Sequence, residues 1–244
     1  MKFSIIIPTL DETSNIIPCI KSVTDNRVDG IKKDDVEIII VDGGSRDGTA
    51  EKAAGADKDR SIKIIRMKEA SLSQQLNRGA KEAGGDVILF LHADCRLAPG
   101  SILKIENAFN DLPGLIGGAF TMKLAGRRFF YHILSIAGNI YCRITRTYFG
   151  DRAMFIKKSA FEELSGFRPL AIMSDFELSL RMKKAGRVTL LKGPIISSSR
   201  KFKDEPFYRI IYLTIWSVSA FYRGIDKELI RDKYYKKERK ISKK

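Results

Sequence analysis

The sequence predicts an α/β fold, a mostly parallel sheet with helices on its faces. Three observations carry this expectation. Four short apolar runs alternate with helix-like segments over residues 3–94, the β-α-β-α-β-α-β rhythm of parallel crossover units. The runs are nearly continuous in large apolar residues, as strands covered on both faces are. Carboxylates recur where those runs end, which is where such sheets bind ligands.

The elements follow in order. FSIIIP (3–8) is a buried strand, and about the next 20 residues read as a helix with Ser14 or Asn15 as its cap. VEIIIVD (36–42) is the second strand, and DGTAEKAA (47–54) opens the second helix. IKIIRM (62–67) is the third strand, and SLSQQLNRGAKEA (71–83) is a helix ended by Gly84-Gly85. DVILFLHAD (86–94) is the fourth strand. The second half is less regular. LIGGAFTMKL (115–124) reads as a strand and RRFFYHILSIAGNIYCRIT (127–145) as a helix with an aromatic and aliphatic face. YFGDRAMFIKKSAFEEL (148–164) reads as turn, strand and helix; MSDFELSLRMKKAG (173–186) as a helix stopped by Gly186; VTLLKG (188–193) as a strand.

FYRIIYLTIWSVSAFY (207–222) is a helix with one charge, Arg209. At about 24 Å it falls short of a hydrocarbon core of about 30 Å, so it is not read as a span. Three readings stay open: packing on the sheet domain, a homodimer contact, or an interfacial helix held to anionic membrane by the basic tail.

A chain of 244 residues makes one large domain or a domain with a modest appendage, and buries a sizeable core without staples. Its three cysteines are scattered and lack metal-ligand spacing, which suits packing in a reducing compartment. MKFSIIIPTL has too few apolar residues before Pro8 for a signal peptide. A cytoplasmic chain is expected, with peripheral contact at the inner membrane face as an option. Lys plus Arg number 44 against 29 acidic residues, a net charge of +15. That excess suits nucleotide phosphates, anionic lipid or nucleic acid. Residues 223–244 alone carry ten basic and four acidic residues, either a solvated tail or a functional one.

Strand one delivers Pro8-Thr9-Leu10-Asp11-Glu12, strand two Asp42, and strand four His92-Ala93-Asp94. One strand-end Asp is commonly a turn or cap residue. Three acidic ends along one sheet edge point to a site.

SIIIPTLDE, VDGGSRDGT, ILFLHADCRL, GDRAMFIKKSAFEELSGF and MSDFELSLRMKKAGRV, in this order and spacing, resemble glycosyltransferase family 2 over roughly residues 3–200. The resemblance implies a GT-A fold: a Rossmann-like sheet with a mixed-sheet extension. It implies a GT-A domain at 1–200, with a donor half at about 1–97 and an acceptor and catalytic half at about 98–200. A C-terminal helix and basic tail follow at 201–244. HAD in place of the usual DxD, GDRAMF, and the ending FYRGIDKELIRDKY look like one subfamily, the rSAM/selenodomain-associated or arsenosugar-biosynthesis glycosyltransferases.

Family members move a sugar, with inversion, from a nucleotide diphosphate to an acceptor hydroxyl. The resemblance carries roles onto this chain residue by residue. Asp42 would accept a hydrogen bond from the ring N–H of a base, uracil in the family, and Gly43 would let the backbone approach it. Glu12, after a Pro8-Thr9 turn, would sit beside base or ribose, or be a plain first-turn acid. Ser45 and Asp47 would belong to the same turn or cap the next helix. Asp94 matches the last Asp of DxD and would hold Mg²⁺ or Mn²⁺ on the diphosphate. His92 replaces the first acid and either joins the metal, favouring Mn²⁺, or points into the core. Asp175 matches the general base, with helix capping as the other reading; the acid usually preceding it is Ser174 here. Glu177 would orient an acceptor or pair with Arg181 four residues on. Asp151 and Arg152 would recognise an acceptor or phosphate, or form a salt-bridged turn. Arg200 and Lys201 would steady the leaving diphosphate.

GxGxxG after the first strand and GxxxxGK[ST] are both absent, against a dinucleotide enzyme or a P-loop protein. A non-enzymatic alternative is a basic module binding nucleic acid or a membrane surface, its aspartates structural. Nucleic acid is not expected, because gathered carboxylates repel phosphate.

Overall fold

A computed structural model describes residues 1–26, 31–56 and 62–235. Any extension of the first helix beyond residue 26, and the end of the basic tail at 236–244, lie outside the described residues. The strands are β1 Phe3–Thr9, β2 Val36–Asp42, β3 Ile62–Arg66, β4 Val87–Phe90, β5 Cys95–Arg96, β6 Leu115–Leu124, β7 Met154–Lys157 and β8 Arg187–Ser197. The helices are α1 Ile16–Thr24, α2 Thr49–Gly55, α3 Leu72–Lys81, α4 Ser101–Asp111, α5 Phe129–Thr145, α6 Lys158–Glu163, α7 Ser174–Ala185, α8 Lys201–Asp204, α9 Phe207–Tyr222 and α10 Lys227–Tyr234.

The eight strands form one sheet in the order β3-β2-β1-β4-β7-β6-β8-β5. β3, β2, β1 and β4 are parallel, the doubly wound half. β7 runs antiparallel to both β4 and β6, and β8 runs parallel to β6. The expected mixed extension is therefore present. Successive side chains on a strand face opposite sides. Ile5, Ile7, Ile38 and Ile40 meet α1 and α4 on one face. Ile6, Ile39 and Val41 meet α3, α6 and α7 on the other. Near-continuous apolar strands are what a sheet covered on both faces requires.

Three boundaries depart from expectation. β4 stops at Phe90, and His92-Ala93-Asp94 form a turn closed by Cys95 N–H donating to His92 O at 2.9 Å. Cys95 and Arg96 then pair with β8 on the far edge of the sheet. β8 runs on through Gly193-Pro194 to Ser197, because the register with β6 shifts between Phe120 and Met122 and absorbs the irregular backbone. Pro8 and Thr9 are not a turn; both are buried in β1. α4 and α10 were not anticipated.

The C-terminal helices pack on the part of the domain that carries α7. Phe176 of α7, Ala220 of α9 and Ile230 of α10 share one apolar cluster with Met173. Of the three readings for residues 207–222, packing on the sheet domain is what the structure displays. All three cysteines are buried and unpaired, as their spacing suggested.

Candidate active site

The parallel register sets Thr9 beside Asp42, so two strands finish together. Thr9 Oγ1 donates to Asp42 Oδ1 at 2.9 Å, and the Ser45 hydroxyl donates to the same oxygen. The amides of Gly44 and Ser45 donate to Oδ2 at 3.1 and 3.0 Å. A carboxylate has about four acceptor positions, and all four are engaged. Here Asp42 shapes the loop after β2. A Cβ on Gly43 would lie 3.0 Å from Ala70 Cα and 3.1 Å from Gln75 Nε2, so only glycine passes so close to the start of α3.

The loops after β1 and β2 are stitched together. Asp11 N–H donates to Ser45 Oγ and Arg46 N–H to Asp11 Oδ1, both at 2.9 Å. Glu12 N–H donates to Thr49 Oγ1 at 2.8 Å, and Thr13 N–H to Asp47 Oδ2 at 3.0 Å. Asp47 also accepts from the amide and hydroxyl of Thr49 at the start of α2, so it serves the helix start. The Thr49 hydroxyl foremost holds its carboxyl below the usual range. Buried Gln75 reaches across from α3, donating to Thr9 O and Val41 O at 2.9 and 2.8 Å. Glu12 pairs with Arg200 at 2.6 Å, joining the first loop to the segment after β8.

A cleft of about 1390 Å³ opens beside this platform. Its lining includes His92, Asp94, Asp151, Arg152, Asp175 and Arg200. Asp94 arrives from the turn after β4, whose backbone oxygen accepts from Ser198 N–H at 3.2 Å. Asp175 arrives on the first turn of α7, where the helix dipole favours a negative charge. Met173, just before it, has φ 64°, and Ala153 beyond the Gly150–Arg152 turn has φ 48°. Non-glycine residues in this region store strain, which collects at working sites.

Asp175 is held on both oxygens. Gly150 N–H donates to Oδ2 at 2.5 Å and Phe176 N–H to Oδ1 at 2.8 Å. Burial raises its carboxyl above the ordinary range, and the two amides and then His92 pull the other way. A Cβ on Gly150 would lie 2.6 Å from His92 Nε2 and 3.1 Å from Asp175 Oδ2. The imidazole therefore faces the cleft at Asp175, not the core.

Other expected residues part company. Glu177 is buried and lies outside the cleft. It accepts from Arg181 Nε at 2.8 Å and pairs with Arg168 at 3.2 Å. Arg181 also holds the carbonyls of Leu164 and Gly166. The pairing reading of Glu177 is the one observed. Asp151 and Arg152 do not form a salt-bridged turn. Arg152 is buried and donates from Nη1 to Asn139 Oδ1 at 2.6 Å, leaving Nε without a partner; Asp151 Oδ1 is also buried without one. Gln75 and Asn139 were not singled out in the sequence. Gly150 was legible only as part of the Gly150-Asp151-Arg152 turn.

The donor set can be tested against a divalent cation. Among the described residues no three His, Cys, Asp or Glu side chains converge on a ready-made metal cage. Mg²⁺-type sites on diphosphates need only one or two carboxylates, the remaining ligands being phosphate oxygens and water. Asp94 and Asp151 both line the cleft, and Asp151 Oδ1 is a buried oxygen without a partner; one or two carboxylates of this kind fit such a site.

A Rossmann-like half, a mixed extension, and carboxylates where the two meet define the GT-A class. The family model described as Glycosyl transferase family 2 matches residues 4–170, and the chain belongs to that family. A dolichol-phosphate mannosyltransferase of Pyrococcus furiosus is 38% identical over 112 residues, 46% of this chain and 31% of its own. Glycosyltransferase AglE of Haloferax volcanii is 34% identical over 95 residues, 38% of this chain and 30% of its own. The chain thus spans about a third of the length of these curated relatives. S. aureus TarS 1–349 in complex with UDP superposes with a TM-score of 0.66 at 16% identity, covering 97% of this chain and 70% of that one. The mannosyltransferase PcManGT from Pyrobaculum calidifontis, in complex with GDP-Man and Mn²⁺, gives 0.65 at 16% identity, covering 96% and 69%. At these identities the structures bear on the fold.

Proposed function

We propose that the protein is an inverting glycosyltransferase, moving a sugar from a nucleoside-diphosphate sugar to an acceptor hydroxyl. The observation that carries this reading is that Asp94 and half-buried Asp175 line one cleft, from segments 81 residues apart in sequence. Asp175 takes the acceptor proton as the acceptor oxygen bonds to the anomeric carbon. The sugar–phosphate bond breaks on the opposite face, and the diphosphate leaves with its electron pair. The elevated affinity of Asp175 for a proton suits it to this task, and the Gly150 and Phe176 amides fix its direction. Asp94, with Asp151 at hand, would hold Mg²⁺ or Mn²⁺. The cation would supply positive charge for the departing diphosphate. Arg152 and Arg200 line the same cleft, and their charges would favour an anion bound there.

UDP is the proposed nucleotide, supported by the resemblance to a family that reads uracil after its second strand. The TarS complex holds UDP and the PcManGT complex GDP-Man with Mn²⁺, so both nucleotides belong in the test. Pro8, Thr9, Gly43 and Asp42 serve the donor by building the platform, and Glu12 by its link to Arg200. HAD, GDRAMF and the FYRGIDKELIRDKY ending support a place in the subfamily named above. Among the described residues no helix is long and apolar enough to cross a membrane; we propose a cytoplasmic, peripherally attached protein. Shared carboxylates in a cleft argue against the nucleic-acid-binding alternative.

Thermal melting tests this reading. UDP or a UDP-sugar with Mn²⁺ should raise the melting temperature, and single-stranded DNA should not. In Asp94→Ala the metal-dependent part of that rise should vanish. Stabilisation by DNA alone would overturn the proposal, and an unchanged metal titration in Asp94→Ala would overturn the cation site.

A further inference from the structure

α5 has three faces with three fates. Tyr131, Ser135 and Cys142 are buried toward the sheet. Ser135 and Asn139 bond the backbone of β6, with Leu124 N–H donating to Ser135 Oγ at 3.0 Å and Met122 N–H to Asn139 Oδ1 at 2.9 Å. Leu134, Gly138 and Tyr141 line the cleft. The third face carries Phe129, Ile133, Ile136, Ile140 and Ile144, at spacings of four, three, four and four residues. That is a single stripe on a helix. Nothing described covers it: exposure runs from 46% at Ile136 to 77% at Phe129. Isolated apolar residues on a surface are ordinary, but a full-length stripe marks an interaction site.

The charges say what the stripe meets. Between Asp111 and Asp151 the chain has no acidic residue and five basic ones, Lys123, Arg127, Arg128, Arg143 and Arg146. Arg127 and Arg128 are exposed at the start of the stripe, and Arg143 and Arg146 at its end. A second copy of α5 laid on this face, parallel or antiparallel, would set arginine against arginine. Phosphates of an anionic bilayer would pair with both ends while the isoleucines enter the acyl boundary. The helix is about 25 Å long, suited to lying in the interface and too short to span it.

We propose that the outer stripe of α5 docks the protein flat on an anionic phospholipid surface. The neighbouring face of the same helix walls the cleft, so docking sets the cleft close beside the headgroups. This inference stands apart from the sugar-transfer reading, and its test measures no catalysis.

The test is co-sedimentation of the full chain with vesicles of phosphatidylcholine, with and without phosphatidylglycerol, at low and high salt. The wild type should partition onto the phosphatidylglycerol vesicles and less onto phosphatidylcholine alone. Ile136→Glu/Ile140→Glu, on exposed positions outside the cleft, should bind about tenfold more weakly or worse. Arg127→Gln/Arg128→Gln should weaken binding chiefly on the anionic vesicles. Wild-type binding by the isoleucine variant, with loss only in high salt, would assign binding to the basic tail and overturn the proposal. So would a failure of the wild type to sediment with anionic vesicles. A dimer that the isoleucine substitutions split, without any change in sedimentation, would overturn it in favour of self-association.

Discussion

Asp175 concentrates the chemistry in one carboxyl. Its burial raises the folded-state pKa above the unfolded value. A group shifted in that direction contributes stability that is fully present below the unfolded pKa and lost as pH rises through the folded one. The ionised wild type is therefore under strain at neutral pH, and an uncharged amide is not. Asp175→Asn should melt higher than the wild type at pH 7, with the gap closing below about pH 4. The same variant should lose about 10²–10⁴-fold in kcat while binding UDP normally, since removing a base acts on the proton transfer. Normal turnover, or a gap in melting that widens toward acid, would contradict the base role. The acid limb of the wild-type rate profile should lie above the range of an ordinary aspartate. Position 175 was legible as an acid opening a helix. Its Gly150 partner, 25 residues away, was not, because a glycine advertises no contact.

At the scale of the element, α7 is secured by what Glu177 does. With a side chain only 9% exposed, Glu177 meets Arg181 and Arg168. Removing one member of a buried pair costs about 3–5 kcal/mol. Arg181 keeps the carbonyls of Leu164 and Gly166, so Glu177→Ala should cost near the lower figure in chemical denaturation. Its KM for the acceptor should be unchanged. A raised acceptor KM at unchanged stability would restore the acceptor role. Elements were legible where their period was local, as in β1, β2 and α3. Boundaries failed where a distant strand chose them. β4 stops early because Cys95-Arg96 pair with β8, and β8 runs long because β6 tolerates a bulge.

For the molecule as a whole, the C-terminal helices are part of the working body. Ile230 of α10 closes the cluster around Phe176, and Lys201 contacts Tyr234 across the cleft wall. A chain ended at Arg223 should lose the burial of Ile230, about 3 kcal/mol, and melt about 10 °C lower. An unchanged melting curve would mean that α10 is dispensable. By itself the sequence determined the doubly wound half, its two-faced burial, and the arrival of acids at successive strand ends. These follow from side-chain periodicity, a local property of the chain. Only the tertiary structure decided which acids are spent and which remain. Thr9 and Ser45 take up Asp42, Arg200 takes Glu12, and Arg181 takes Glu177, while Asp94, Asp151 and Asp175 face a common cleft. A lone pair belongs to whichever donor the fold brings to it, and those donors come mostly from remote segments.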